Sequence, residues 1–265
     1  MQTRRTAPTT QRPHRVDVLG CSIDPLDIPA TVARCDEIIQ SGRFSQQVSI
    51  NAAKVTAMRE DQRLRRIAHQ CELVSVDGQS VVWASKLLGC PVPERVPGIE
   101  LMFELLALAE RRGYRVYILG SRQHVLDAAV KALQQRYPGL NLCGWHHGYF
   151  SESEEGMLAE EIRGTAPNIL LVAMSSPRKE YWLAEYGPST GAQFGMGVGG
   201  SIDVVAGVTR RAPEWMQQVG LEWLYRLIQE PRRLGRRYAV SNTQFLGMLA
   251  TELIRTRAGR LRRAV

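Results

Sequence analysis

The chain has 265 residues, of which 44% are hydrophobic, so it can bury a substantial core without disulfides or metal. Its five cysteines are odd in number and scattered, with no CxxC pair and no Cys/His cluster. This excludes a disulfide-rich secreted scaffold and a zinc site of known spacing. The net charge is +8, and residues 206–265, with twelve Arg, four Glu and no Lys, supply all of it.

The first fifteen residues, MQTRRTAPTTQRPHR, are basic and rich in Pro and Thr, and no apolar segment follows them. This composition is typical of a disordered arm and not of a signal peptide. The chain contains no run of eighteen apolar residues, so no membrane-spanning helix is predicted. We therefore expect a cytoplasmic protein with reduced cysteines.

Residues 16–205 alternate apolar runs with segments of helical periodicity. Strands that alternate with helices of this length predict a Rossmann-like α/β domain, a mainly parallel sheet with helices on both faces. The predicted strands cover residues 16–24, 48–51, 71–76, 115–120, 140–145, 168–174 and 192–200. The predicted helices cover residues 25–42, 55–69, 79–88, 99–111, 123–136, 152–165 and 178–186.

The pattern changes after residue 207, where only helical segments follow, broken at Pro231. We call residues 206–265 the appendage. Its tryptophans and leucines are interleaved with arginines, which is typical of a helix lying on an anionic membrane surface, where each basic residue contributes about 1 kcal/mol. The alternative is that these apolar side chains pack on the α/β body, and part of the segment must do so.

Polar residues follow two predicted strands where each strand ends. Ser49 and Asn51 alternate at the first of these ends, with Ile50 facing the other side, so both side chains can point into one pocket. Asp77 follows the next strand, and parallel strands open on one edge, where α/β proteins bind ligands. Arg95 lies on a proline-rich loop, PVPERVPG, that can reach the same edge.

Several sequence blocks carry a family resemblance. They are SIN, the strand ending in VDG, VVWASKLLG, PERVPGIELM, VYILGS, GWHHGYF, SSPRKEYW, FGMGVGGSIDVVAG and RRAPEWMQQVGLEWLYRLIQEPRR. In this order, over roughly residues 45–240, the chain resembles the WecG/TagA/CpsF glycosyltransferase family. The resemblance implies transfer of a sugar from a nucleotide diphosphate donor to a polyprenyl-diphosphate-linked saccharide at the inner face of a bacterial membrane.

Glycosyl transfer needs a base for the acceptor hydroxyl and cations for the leaving diphosphate. The resemblance places the base at Asp77, and such a group contributes about 10²–10⁴-fold. Spacing alone favours a plain Asp-Gly turn there. The catalytic cations that we predict are Arg95 and, in the YRL and EPRR blocks of the appendage, Arg226, Arg233 and Arg236.

Substrate-binding residues are predicted on several loops. The resemblance makes Ser49 and Asn51 polar contacts to the donor sugar or the acceptor, and it makes the rival carboxylate Asp203 a donor ligand. The loop LGSRQ joins a strand to a helix whose first amides suit a phosphate, although such loops also occur without a ligand. The other predicted substrate-binding residues are Gly120, Ser121, Tyr149, Lys179 and Gly199.

Neither a cofactor nor a metal is predicted. Gly195, Gly197 and Gly200 spell G-x-G-x-x-G, but a dinucleotide site needs a helix from the third glycine, another strand and a later acid, which the sequence does not predict. The chain has no D-x-D triplet. His146 and His147 adjoin at a predicted strand end, where alternation points them apart.

One departure from the family pattern bears on the substrate. The family usually reads P-K-Q-E where this chain has Pro177-Arg178-Lys179-Glu180, so a cation replaces a neutral amide. That cation suits a donor or acceptor with a carboxylate, such as a uronic acid. Pairing of Lys179 with Glu180 or Glu185 is the alternative, and the sugar stays undetermined.

The sequence thus predicts an arm at residues 1–15, an α/β core at 16–205 and a membrane-associating appendage at 206–265. The predicted activity is inverting transfer from a UDP-sugar to a polyprenyl-diphosphate-linked saccharide, for cell-surface or exopolysaccharide synthesis. The predicted partners are these two substrates and the anionic inner-membrane surface, without nucleic acid, and a homo-oligomer is left open. The alternatives are an NAD-dependent oxidoreductase and a basic nucleic-acid-binding module.

Overall fold

The structure is a computed structural model that describes residues 14–229 and 231–263. Within helices, it does not describe the side chains of Gln218, Arg226, Arg233, Leu234, Arg236, Arg237 and residues 257–263. Most of the predicted arm lies outside the described residues. Arg15, at its end, is described and donates hydrogen bonds to both carboxylate oxygens of Asp24, at 2.9 and 3.0 Å.

A six-stranded sheet in which all strand pairs are parallel forms the centre of the protein. Its strands are β3 (Ser45–Ile50), β4 (Leu73–Val76), β5 (Arg115–Gly120), β6 (Asn141–His146), β7 (Ile169–Ala173) and β8 (Phe194–Gly197). Their order in the sheet is β4-β3-β8-β7-β5-β6. The α/β, Rossmann-like architecture predicted from the alternation is confirmed.

Helices cover both faces of this sheet because the strands are apolar on both sides. On one face, Ile118, Leu171 and Met196 pack in a core with helices α1 (Ile28–Gln40), α5 (Gly98–Arg112) and α6 (Gln123–Arg136). On the opposite face, the alternate strand residues Leu119 and Val172 pack with α7 (Glu155–Gly164) and α8 (Arg178–Tyr186).

A third core covers β3 and β4 and includes part of the appendage. It contains side chains of α2 (Ala52–Glu60), α3 (Gln62–Gln70) and α4 (Gln79–Leu87). Phe245 and Leu249 of the long helix α12 (Pro231–Arg263) are buried in it. The appendage is therefore anchored to the α/β body by apolar packing. Its other helices are α10 (Glu214–Gln218) and α11 (Glu222–Gln229), and α9 (Ser201–Val205) precedes them.

Three element predictions need correction. The predicted helix over 55–69 is two helices, because Asp61 adopts an extended conformation and its Oδ1 accepts the Leu64 amide, which starts α3. The predicted strand over 16–24 is a hairpin of β1 (Val16–Val18) and β2 (Cys21–Ile23). Its two turn residues, Leu19 and Gly20, have φ of 56° and 82°, as type I′ turns require.

The third correction concerns the end of the α/β body. A helix, α9, does begin directly after the third glycine, Gly200, where none was predicted. In the described residues no strand follows it, so the dinucleotide arrangement is still incomplete. Among the described helices, none has the length and apolar character needed to span a bilayer.

Candidate active site

The carboxyl ends of the six parallel strands share one edge of the sheet, and the predicted site residues lie along it. Asn51 follows β3, Asp77 follows β4 and Ser121 follows β5. Gly199 lies two residues after β8. Because β4 and β5 are separated by four strand spacings, the residues from Asp77 to Ser121 span about 19 Å of the edge.

Asp77 is held in place by the strand beside it. Its amide and that of Gly78 both donate to the carbonyl of Ile50, at 2.9 and 3.2 Å. A Cβ atom on Gly78 would lie 2.9 Å from the Cα of Asn51, so a larger residue cannot occupy this position. The turn therefore brings the backbones of Asn51 and Asp77 together, and Asp77 is half-buried there.

Asn51 also shapes the site through helix α2. Its Oδ1 accepts the Lys54 amide at 3.0 Å and so caps the helix. One turn into the helix, the buried Lys54 ammonium lies 2.6 Å from Oε1 of Glu180 on α8. This buried ion pair joins the helices that follow β3 and β7, and sequence reasoning had not singled it out.

The side chain of Lys179 packs against the glycine loop after β8. Its aliphatic part covers Gly197, and its Nζ lies 3.3 Å from where a Cβ on Gly199 would stand, so a side chain at either glycine would displace it. Its ammonium is 4.0 Å from Glu180 Oε1, which Lys54 already binds more closely. The predicted pairing with Glu180 is therefore weak, and Glu185 instead pairs with Arg63 at 2.7 Å.

The environment of Lys179 disfavours its charge. Burial, and then the positive charge of Lys54, lower the pKa of Lys179 to about 8, while Glu180 and Asp77 oppose this shift. Asp77 is the smallest of these four influences, and its negative charge favours the charged form of the ammonium. Asp77, Lys179 and the glycine loop thus form one cluster on the side of the edge where β4, β3 and β8 end.

Ser49 lies in a polar network and not in that cluster. The Gln47 amide donates to the hydroxyls of Ser49 and Ser75 at 3.0 and 2.8 Å, and the two hydroxyls are 3.3 Å apart. Ser49 Oγ also approaches Gly98 at the start of α5. Sequence reasoning missed Gln47 and Ser75, although two polar residues at inward positions of buried strands were a visible signal.

A second group of predicted residues lies at the ends of β5 and β6. Ser121, with φ of 61°, places its hydroxyl 3.5 Å from Asp203 Oδ1 on α9. Gly120 approaches the backbone of Ala173 so closely that a Cβ would lie 2.5 Å from it. Tyr149 is exposed nearby, where its hydroxyl accepts from Arg122 at 3.4 Å.

Arg95 starts at the same edge but points toward the appendage. The following amide, that of Val96, donates to Val76 at the end of β4 at 2.7 Å, so the loop lies beside Asp77. The Arg95 guanidinium lies 3.6 Å from Glu222 and donates to the Gln217 carbonyl at 3.2 Å. Arg95 therefore joins the predicted site to α10 and α11.

The appendage also packs directly on the start of α4. Gly220 has φ of 77°, and a Cβ atom added to it would lie 2.6 Å from the side chain of Gln79. Gln79 is two residues after Asp77. Arg226 lies on α11, and Arg233 and Arg236 on α12. Their side chains lie outside the described residues, so their predicted diphosphate contacts are untested.

The histidine prediction was wrong in geometry. Because β6 ends at His146, strand alternation does not reach His147, and the two ring centroids are 4.4 Å apart. In the described part of the chain, no group of three or more His, Cys, Asp or Glu side chains is arranged to hold a metal ion. The five cysteines are all free.

Comparison with known proteins adds an independent line of evidence. The profile described as "Glycosyl transferase WecG/TagA/CpsF family" matches residues 16–259. The chain is similar to N-acetylglucosaminyldiphosphoundecaprenol N-acetyl-beta-D-mannosaminyltransferases of Staphylococcus aureus, from strains MW2 and NCTC 8325 / PS 47. Each is 34% identical to it over 229 residues, which cover 84% of this chain and 87% of the relative.

Proposed function

The chain belongs to the WecG/TagA/CpsF glycosyltransferase family, and on that premise we propose that it moves a sugar from a UDP-sugar to a polyprenyl-diphosphate-linked saccharide. Its relatives are named for an acceptor of this kind, a diphosphoundecaprenol carrying N-acetylglucosamine. The product would serve bacterial cell-surface or exopolysaccharide synthesis.

The observation that carries this proposal is the cluster of Asp77, Lys179 and the glycine loop at the carboxyl edge of the sheet. A carboxylate and a cation stand there beside a loop in which Gly199 and Gly200 have no side chains. General-base chemistry needs the first, and a leaving diphosphate needs the second. The four strand spacings from Asp77 to Ser121, about 19 Å, give an extended donor room to lie across the edge.

The proposed reaction is a single displacement. Asp77 takes the proton of the acceptor hydroxyl, whose oxygen attacks the anomeric carbon of the donor sugar. The bond from that carbon to the diphosphate breaks, its electron pair leaves with UDP, and the configuration inverts. Arg95 and the appendage residues Arg226, Arg233 and Arg236 stabilise the charge that grows on the diphosphate.

The remaining predicted residues bind substrate in this proposal. Asn51 contacts the acceptor or the donor sugar beside Asp77, and Ser49 contacts it from the adjoining polar network of Gln47 and Ser75. The donor would extend along the edge past Lys179 and Gly199 toward the second group of residues. That group consists of Gly120, Ser121, Tyr149 and Asp203.

We also propose that the chain works at the inner face of the cell membrane, with its appendage, residues 206–265, on the lipid surface. The polyprenyl chain of the acceptor would lie in the bilayer, so the enzyme must approach it there. Trp215 and Trp223 are exposed on α10 and α11, which suits the interfacial region of a membrane. The oligomeric state is left open.

Turnover with defined substrates tests the proposal. The purified full chain is incubated with each of several UDP-sugars and with polyprenyl-diphosphate N-acetylglucosamine, and both released UDP and the lipid-linked product are measured. We expect product with at least one donor, and none without the lipid-linked acceptor. Donor hydrolysis alone, or no reaction across a panel that includes neutral and acidic sugars, contradicts the proposal.

The two other activities that the sequence allowed gain no support from the comparisons. The matched family is a glycosyltransferase family, whereas an oxidoreductase or a nucleic-acid-binding module would match elsewhere. An oxidoreductase would change nicotinamide absorbance and would be insensitive to Asp77→Asn. A nucleic-acid-binding module would bind DNA without UDP, with an affinity that falls steeply with salt.

A further inference from the structure

Helix α4 presents an apolar face that the core does not use. Its buried residues Val81, Val82 and Ala84 pack in the core over β3 and β4. On the other side, Trp83 and Leu87 are 55% and 62% exposed. Because they are four residues apart, they are neighbours on one stripe of the helix.

The chemistry of this face suits an anionic lipid surface. A tryptophan has an apolar ring and a polar N–H, and it is enriched where hydrocarbon meets head groups. Lys86 is exposed beside Leu87, and α4 contains no acidic residue. A single exposed apolar residue would need no explanation, but a Trp-Lys-Leu face is an interfacial arrangement.

This face adjoins the exposed apolar side chains of the appendage. Gly220 packs on Gln79, which lies one helical turn before Trp83 on the same stripe of α4. Next to Gly220, Val219 is 53% exposed, and Trp215 and Trp223 are exposed on the flanking helices. The α4 face therefore extends the appendage surface onto the α/β body.

The position of α4 relative to Asp77 decides which occupant fits. The helix begins two residues after Asp77 and is about 13 Å long. If the acceptor is a diphosphate lipid, its head must reach Asp77 while its prenyl chain stays in the bilayer. The bilayer must then meet the protein on a surface that adjoins Asp77, and α4 provides one.

We propose that Trp83, Lys86 and Leu87 insert into the head-group region of the anionic membrane that carries the acceptor. This inference rests on the proposed function, which requires that Asp77 face the lipid-linked acceptor. It adds to the membrane contact of the appendage a second contact, made by helix α4 of the α/β body. A contact through α4 beside the appendage contact restricts the tilt of the protein on the membrane. The α4 contact thus favours an orientation in which the Asp77 edge faces the lipid.

Vesicle binding of matched variants tests this inference. The full-length Trp83→Ser/Leu87→Ser variant is compared with wild type on vesicles of phosphatidylethanolamine and phosphatidylglycerol. Because both residues are exposed, folding should be unaffected, which circular dichroism verifies. We expect binding to weaken roughly tenfold or more. Met157→Ser, at a 70% exposed site on α7, is the matched control and should bind as wild type does.

Lipid contact of Trp83 itself is measured by fluorescence. Brominated lipids quench tryptophan only at short range, so vesicles that contain them should quench wild type more than the Trp83→Phe variant. Equal quenching of the two proteins at saturating lipid would overturn the proposal. Unchanged vesicle binding of the double variant would overturn it too. The same holds if sedimentation shows that the α4 face joins two copies of the chain.

Turnover separates this inference from the proposed function. With a short-chain, water-soluble acceptor the double variant should match wild type, whereas with the full-length acceptor in vesicles it should be several-fold slower. If wild type turns over neither acceptor, the proposed function fails. Vesicle binding and quenching still decide whether α4 contacts lipid.

Discussion

The guanidinium of Arg95 and the carboxylate of Glu222 lie 3.6 Å apart and join the loop beside Asp77 to the first turn of α11. Both side chains are largely buried, with 14% and 9% of their surfaces exposed. Arg211, which also pairs with Glu100 on α5, lies 3.9 Å from the same carboxylate. Glu222 thus ties the appendage directly to the loop that carries Arg95, and Arg211, which also lies in the appendage, ties it to α5.

Two variants separate the structural role of Arg95 from its proposed catalytic role. Arg95→Gln leaves a buried carboxylate with less compensation, so we expect a loss of about 1–3 kcal/mol in the free energy of unfolding. Turnover should fall by about 10²-fold or more if Arg95 also binds the diphosphate. Arg95→Gln/Glu222→Gln should regain stability in urea unfolding but not turnover. Recovery of both would make Arg95 purely structural.

Docking of the appendage on α4 is tested at two glycines. Gly220 and Gly207 have φ of 77° and 74°, so alanine at either position costs about 1–2 kcal/mol for the left-handed conformation. Only at Gly220 would the new Cβ also meet Gln79, whereas at Gly207 it meets nothing within 4 Å. We expect Gly220→Ala to lower thermal stability and turnover more than Gly207→Ala. Equal effects would mean that this contact is unimportant.

The proposed base is tested by Asp77→Asn, which keeps the shape of the side chain and removes its basicity. Turnover should fall about 10²–10⁴-fold while the melting temperature changes little. Asp127→Asn, on the exposed face of α6, is the control and should leave both unchanged. An Asp77→Asn variant that retains most of its activity would move the base elsewhere, with Asp203 as the next candidate.

Much of the fold could be predicted because local signals and tertiary structure agree. The helices at residues 123–136 and 178–186 have the predicted bounds, since periodicity and flanking turns are both clear there. The break at Asp61 was missed because its helix cap lies between two segments that together keep a helical composition. The cap can be recognised only in the structure, where the Leu64 amide donates to the Asp61 carboxylate.

The site was predictable to the level of the sheet edge but not of the side chains. Strand ends and the family resemblance indicated Asn51 and Asp77. The Lys54–Glu180 pair joins residues 126 positions apart, and no local pattern reports such a distance. Ser49 illustrates the same limit. Strand alternation predicted which face of the sheet its side chain lies on, but not that it bonds with Gln47 and Ser75.

The Lys54–Glu180 pair gives a prediction about stability. Lys54→Met leaves the buried Glu180 carboxylate with only the longer contact to Lys179, which should cost about 3 kcal/mol in urea unfolding. Lys54→Met/Glu180→Leu, which removes both charges, should recover most of that loss. If Lys54→Met is as stable as wild type, the pair is not formed in solution.

The same pair has a pH signature. Burial pushes the pKa of Glu180 upward, but Lys54 and Lys179 outweigh it and hold the pKa below the usual value of 4.5. A lowered folded-state pKa adds stability above pH 4.5 that is lost as pH falls through the folded value. Thermal melts from pH 6 down to about pH 3 should therefore show a steeper loss in wild type than in the double variant.

Lys179 gives a prediction about donor binding. Its lowered pKa, about 8, means that the ammonium is charged at pH 7 and mostly neutral one unit above the pKa. If the cation contacts an anionic group of the donor, the donor KM should rise about tenfold per pH unit above 8. Lys179→Gln should show a higher KM at pH 7 and a flat profile to pH 9.

The choice of donor separates two roles for this cation. If Lys179 contacts the diphosphate, which every UDP-sugar carries, Lys179→Gln should raise KM equally for neutral and uronic donors. If it contacts a sugar carboxylate, the loss should be confined to the uronic donor, because only that sugar offers a second anion. A wild-type KM that stays flat from pH 7 to 9 would contradict both roles and leave Lys179 as a partner of Asp77 and Glu180 alone.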